Sequence, residues 1–272
     1  MKISNFPAYY TPLDKLGWYG LRVLCGAVLL FLLLPIIVII PLSFSDSSFL
    51  SYPIPGWSLR WYQELFASSD WGRATRNSFI VAPLATLIAT ALGTLAAVGL
   101  ARSQFIGKGL LTSLLIAPMV VPIVVVGVST YLFFARIGLS DSYTGLVLVH
   151  AALGAPFVLT TVMATLQGFN QNLVKASLSL GAGPLQTFFR ITLPVIAPGV
   201  ISGALFAFAT SFDEVVVTLF LAGPTQTTLP RQMFTGIREN ISPTIAAVAT
   251  LLILFTACLM MTLEWLRGRV KK

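Results

Sequence analysis

The sequence predicts an all-α polytopic membrane protein with six transmembrane helices, and three observations carry that prediction. Hydrophobic residues make up 56% of the 272 and charged residues only 10%, whereas a soluble domain carries roughly 25% charged residues to cover its surface. The mean hydropathy is +0.88. Apolar runs about as long as the ~20 residues a span needs recur along the chain. The charges between those runs sort by side. A formal net charge of +8 would point to nucleic acid in a soluble protein, but here it is read side by side across a bilayer, and no nucleic-acid partner is expected.

The first run, 23–42, holds no charge and no polar side chain other than Cys25. It is too long for a secretory apolar region, and no small-residue cleavage site follows, so it is expected to stay in the membrane. Lys2, Tyr9, Tyr10, Trp18 and Tyr19 precede it or flank its start. The segment 45–77, with Trp57, Trp61 and Trp71, reads as an amphipathic stretch on the outer membrane surface or as a protein contact. Arg73, Arg76 and Asn77 are expected to anchor the entry to a second span, about 78–101. There Ala85, Ala89, Gly93, Ala96 and Ala97 recur on one side, which lets helix backbones approach closely in lipid. Arg102 to Lys108 is a short basic turn. A third span, about 110–134, is expected to break at both Pro118 and Pro122, tolerable where the freed carbonyls face protein or water. A fourth, about 143–166, carries His150 and Pro156; a fifth runs over about 195–212 and a sixth over about 244–263. Cys25 and Cys258 sit in apolar runs and read as small buried residues. The chain is expected to form a single transmembrane domain over 1–272, with its core at about 76–265.

The longest amphipathic interruption is 175–194, within a polar loop over 168–194. Leu173, Ala176 and Leu180 fall three and four apart and so share a helical face. Gly181 stops that helix, and Gly183 and Pro184 restart another with Pro in its first turn. The second helix carries Leu185, Phe188 and Phe189, and Leu193 and Pro194 are expected to close it. Such an apolar face either lies in the headgroup layer or docks a soluble partner's groove. With six spans, this loop, the 102–108 turn and both termini share one side. That side holds eleven Lys and Arg against two acids; the other holds six against seven. The bias places the termini and the loop in the cytoplasm.

The spacing of Lys175, Ala176, Ser177, then Gly181, Ile191, Leu193 and Pro194 resembles the EAA loop of ABC-importer permeases. The resemblance implies a type I importer permease fold and a cytoplasmic coupling loop, 168–194, in which Lys175, Ala176, Ser177, Leu180, Gly181, Ile191, Leu193 and Pro194 meet an ATPase subunit. Two positions depart from the pattern: Lys175 stands where the family has an acid, and Ser177 where it has a second alanine.

Asp213 and Glu214 follow Ser211 and Phe212 and precede the apolar stretch 215–222. Acids in such surroundings are costly in lipid; they either close a helix end as a hydrogen-bonded pair or face a pathway that favours cations. The segment 212–243 reads as a half-span followed by a surface stretch through Arg231 and Arg238. The order Ser211, Phe212, Asp213, Glu214, then Gly223, Pro224, Leu229, Pro230, Ser242 and Pro243 is similar to the spermidine/putrescine branch of the same family. That likeness implies a polyamine substrate and a path lined by Asp213, Glu214, Ser211, Phe208, Phe212 and Tyr131. Relatives of the branch handle aminophosphonates, opines, amino acids or ferric iron, so another small solute stays open. Phe206 and Phe133 belong to the same aromatic stripes, which in spans pack more often than they bind.

No Gly-x4-Gly-Lys-Ser/Thr motif occurs, so no phosphate cradle is expected here. The resemblance implies that ATP and magnesium bind a partner ATPase, present twice, beside a second homologous permease subunit, a periplasmic substrate-binding protein and the lipid bilayer of a bacterial inner membrane. A membrane-embedded enzyme would need acids, Lys or Ser gathered around its base; His150, the sole histidine, shows no intramembrane partner in the sequence, and neither a catalytic residue nor a metal site is expected. A channel or secondary transporter would show inverted hydropathy repeats, and none is seen.

Overall fold

A computed structural model describes residues 11–239 and 242–270, with side chains described for all of these except Met260 and 263–270. Lys2, Tyr9, Tyr10, Lys271 and Lys272 lie outside the described residues, as do the side chains of Glu264, Arg267 and Arg269. The chain divides into two compact units, residues 1–67 with 240–272 and residues 68–239.

The first unit opens with α1 (Pro12–Leu42), which starts eleven residues before its uncharged run. Thr11 and Asp14 form a capping box there, the Thr11 hydroxyl accepting from Asp14 N at 3.2 Å and the Asp14 carboxylate from Thr11 N at 2.8 Å. Together with Pro12 at the first position this satisfies the orphan amides of the first turn. No residue of α1 is buried; its apolar side chains are exposed over most of its length and half-buried at 38–42, as suits a rod set in lipid. Cys25 is likewise exposed, as is Cys258, and neither is the buried residue that its apolar run suggested.

After α1 the chain folds back on itself, with Ser45 bridged to Trp57 and Ser58 N donating to Phe44 O at 2.7 Å. Trp61, in α2 (Arg60–Ala67), is 4% exposed and its Nε1–H donates to Ser45 O at 2.7 Å, whereas Trp57 stays outside. Of the aromatic trio's two indoles in this unit, Trp57 is surface-like and Trp61 is not. α12 (Pro243–Val270) packs on both α1 and α2, and its Thr244 hydroxyl donates to Glu64 at 3.4 Å.

The second unit is built on three helices: α3 (Ser69–Arg102), α6 (Tyr143–Gln167) and α9 (Leu193–Phe212), each packed on the other two. Their contact is made by small residues. A Cβ on Gly93 would meet Val158 Cβ at 2.7 Å and Ala155 O at 2.8 Å, and one on Gly203 would meet Val158 Cα at 2.7 Å. Ala85, Ala89 and Ala97 are buried beside them, and Ala96 is half-buried. Without a hydrophobic force between helices in lipid, this close backbone approach is what holds the bundle.

The third span is broken once. α4 (Lys108–Val120) passes through Pro118 without interruption, and α5 (Ile123–Ile137) leaves it at 103°. Pro122 forces Val121 out of the helical region, to φ −68° and ψ 133°, because its Cδ clashes with a helical residue before it. Pro118 has a helical neighbour and only loses its amide. α10 (Val216–Leu221) then packs on α5 and α6.

Among the described residues, α1, α3, α6 and the stretch Pro184–Phe212 are each long and apolar enough to cross a bilayer. Counted as one broken span, the bent pair α4–α5 brings the number to five, and α12 adds a shorter apolar stretch, Pro243–Leu259.

Candidate functional site

Two places in the second unit gather the residues singled out from the sequence. The first is the amphipathic loop. α7 (Asn172–Ser179) ends in a Schellman motif: Leu180 is the cap, Gly181 has φ +84°, Ala182 N donates to Ser177 O at 3.1 Å and Gly181 N to Leu178 O at 3.0 Å. Glycine meets this left-handed position at no steric cost. The chain restarts as α8 (Pro184–Thr187) and folds back beside α7, where the Ser177 and Thr187 hydroxyls lie 3.0 Å apart.

The hairpin has two faces. Val174, Phe188 and Leu193 pack back on the core of the bundle. Leu173, Ala176, Leu180, Gly181, Arg190 and Ile191 line an open cleft of about 530 Å³ on the other side. Leu180 is 87% exposed, Leu185 74% and Phe189 60%, a row of large apolar side chains that no element covers among the described residues. Lys175 and Pro194 are exposed, and Lys175 and Arg190 are the only charges of 168–194.

Leu193 and Pro194 do not close this hairpin, as the sequence suggested. The chain passes from α8 through a single π turn, Phe188–Thr192, directly into α9. Pro194 has no amide, and its ring would crowd the carbonyl of Arg190 four residues back; the turn widens, and Leu193 N donates to Phe188 O instead. The fifth span therefore begins at Pro184 and not near 195. Thr192, fully buried in the π turn, accepts from Arg102 Nη2 at 2.8 Å, which fastens the end of α3 to the same place.

The second place is the elbow between α9 and α10. Asp213 caps the C-terminus of α9 and is exposed; Glu214 is half-buried, and its Oε1 accepts from Val217 N at 2.8 Å at the start of α10. Phe212 stacks on Phe208 at 5.4 Å and meets Phe79 edge-on at 5.4 Å, while Tyr131 lies exposed on α5. Ser211 is turned toward α6. It is 5% exposed, and its Oγ lies 2.9 Å from His150 Nδ1. His150, without visible partner in the sequence, is held on its other side by Thr218 Oγ1 at 3.2 Å. These partners stand 61 and 68 residues away, and a lone histidine in an apolar run gives no signal for them.

Beyond the elbow the loop before α11 (Leu229–Glu239) is clamped by Asn77. Its Nδ2 donates to Thr225 O at 2.9 Å and Thr227 O at 2.8 Å, and its Oδ1 accepts from Tyr143 OH at 2.8 Å. Arg231 donates to the carbonyls of Ala222 and Gly223. Burial pushes its guanidinium below the ordinary value, and Asp141 acts in the opposite sense. Arg73 pairs with Asp70 at 2.6 Å on an exposed turn.

The family model described as binding-protein-dependent transport system inner membrane component matches residues 89–272. The putrescine transport system permease protein PotI of Escherichia coli (strain K12) is 33% identical over 258 residues, 92% of this chain and 89% of that protein. The spermidine/putrescine transport system permease protein PotC of Haemophilus influenzae is 33% identical over 230 residues, 84% of this chain and 89% of that one. Among solved structures, a chain of a bacterial ABC transporter involved in the import of the acidic polysaccharide alginate superposes with a TM-score of 0.75. The match covers 96% of this chain and 99% of that one at 14% identity. A chain of an alginate ABC transporter in complex with an alginate pentasaccharide-bound periplasmic protein gives 0.67 at 20% identity, covering 92% and 93%. With the EAA spacing, the capped hairpin and these likenesses together, the chain belongs to the binding-protein-dependent transport system inner membrane component family of ABC permeases and has its type I fold.

Proposed function

We propose that this chain is the permease subunit of an importer for polyamine cations, driven by a separate ATPase seated on the 168–194 hairpin. The observation that supports the substrate class is the acid pair at the elbow, Asp213 exposed and Glu214 half-buried, in a chain 33% identical to permeases named for putrescine and spermidine. Carboxylates at the end of an otherwise apolar span favour cations and disfavour anions. The uncovered row Leu180, Leu185 and Phe189 supports docking in a groove.

In this reading the complex holds a second homologous permease subunit, two ATPase subunits that bind ATP and magnesium, and a periplasmic receptor. Both termini and the hairpin face the cytoplasm. Closure of the ATPases moves the hairpins, and the span bundles rock about a shared central path that Asp213 and Glu214 line. The test is reconstitution in proteoliposomes with the cognate receptor and ATPase. Putrescine accumulation that requires ATP and the receptor is expected; ATP hydrolysis stimulated by the receptor with a neutral or anionic solute, and not with putrescine, would overturn the substrate class.

A further inference from the structure

The acidic elbow is held from behind by His150, which takes no part in the function proposed above. This side chain is 1% exposed, two turns into α6. Its two ring nitrogens meet hydroxyls from the two elements that flank the elbow, Ser211 in the last turn of α9 and Thr218 in α10. All three groups are buried, and Asp213 and Glu214 lie between the two hydroxyls in the chain.

One consistent assignment of the ring tautomer starts from the final acceptor. Thr218 Oγ1 donates its one hydrogen to the Glu214 carbonyl at 3.2 Å, so towards the ring it accepts, from Nε2–H. In a neutral ring Nδ1 is then an acceptor and takes the Ser211 hydrogen. The relay runs from Ser211 through His150 and Thr218 to the backbone of Glu214. A leucine at 150 would take from the buried Ser211 hydroxyl its partner and leave Thr218 only its bond to the Glu214 carbonyl, untying both arms of the elbow from α6.

We propose that His150 is the positioning residue of the acid pair: by bridging Ser211 and Thr218 it fixes the backbone at 213–215, and so the place where the two carboxylates meet a cation in transit. This rests on the reading that Asp213 and Glu214 line the path, and the experiment separates the two. The complete complex is reconstituted with its receptor, and putrescine moved per ATP hydrolysed is measured, a ratio that loss of folded protein does not change. His150→Leu is expected to lower that ratio about tenfold, with His150→Gln, which keeps a donor and an acceptor, largely restoring it. In a background already carrying Asp213→Asn and Glu214→Gln, His150→Leu is expected to add nothing. An unchanged ratio in His150→Leu, or an equal further fall in the amide background, overturns the proposal. If the amide pair itself leaves the ratio unchanged, the path reading fails, and the proposal built on it fails too. Should His150→Leu not assemble, Ser211→Ala and Thr218→Val each delete one hydroxyl; a lowered ratio in either supports the bridge, and unchanged ratios in both refute it.

Discussion

The Ser177 hydroxyl lies 3.0 Å from that of Thr187, and this pair fastens α7 to α8 across the Gly181 turn. Thr187 is 2% exposed, so Ser177→Ala leaves a buried hydroxyl without its partner, a cost of about 1–3 kcal/mol. Thr187→Val in the same chain removes the orphan. The expected outcome is that Ser177→Ala lowers ATPase retention during purification and that the double variant recovers most of it. A double variant no better than the single one would show that the pair does not set the hairpin's shape.

Gly181→Val places a β-branched residue at φ +84°, where an L side chain costs about 1–2 kcal/mol and a branched one more. No neighbouring atom stands within 4 Å of the new Cβ, so the penalty is conformational and confined to the turn. The ATPase should be lost from the purified complex while the spans remain inserted, as read by membrane fractionation and pull-down. Full retention with normal ATP hydrolysis would remove the hairpin from the coupling path.

Asp213→Asn with Glu214→Gln should slow uptake of putrescine about tenfold without changing assembly. Glu214→Gln retains the oxygen that accepts from Val217 N, so the start of α10 survives and only charge is lost. Glu214→Ala should lower thermal stability as well, by about 1 kcal/mol for the missing cap. Equal uptake by the amide variant and the parent would leave both acids with a structural role alone.

Asn77→Ala should destabilise the complex by about 2–4 kcal/mol, since one buried amide closes three hydrogen bonds to the 225–227 loop and Tyr143, each worth about 1 kcal/mol before the orphaned carbonyls are counted. Thermal unfolding in detergent, followed by tryptophan fluorescence, reads this. A shift below a degree or two would mean that Arg231 and the Ser78 hydroxyl, which accepts from Leu229 N at 2.8 Å, hold the loop unaided.

Features set by one residue's own backbone chemistry were legible in the sequence. Gly181 stops α7 because glycine takes that φ with no Cβ to clash, and Pro122 breaks the third span because it acts on the residue before it. The stripe at 85, 89, 93 and 97 was legible because helical spacing alone brings those positions to one face. Features set by distant partners were not. Asn77 read as a span anchor, and its true partners are 148 and 150 residues away. His150 and Ser211 read as unconnected for the same reason. Cys25 and Cys258 misled because hydropathy cannot tell a lipid-facing run from a protein-facing one. Leu193 and Pro194 read as an exit because proline usually ends a helix, whereas here it widens a turn and the helix continues.

That continuation has a mechanical consequence. From Pro184 to Phe212 the backbone is one 29-residue rod, roughly 43 Å at helical rise, with the hairpin's greasy tip at one extremity and the carboxylates at the other. No loop interrupts the backbone between the tip and the acids; its turn is widened at Phe188–Thr192, where Arg102 braces it from the side. On the proposed function, the motor's stroke and the cargo's counter-charge are two ends of a single pushrod.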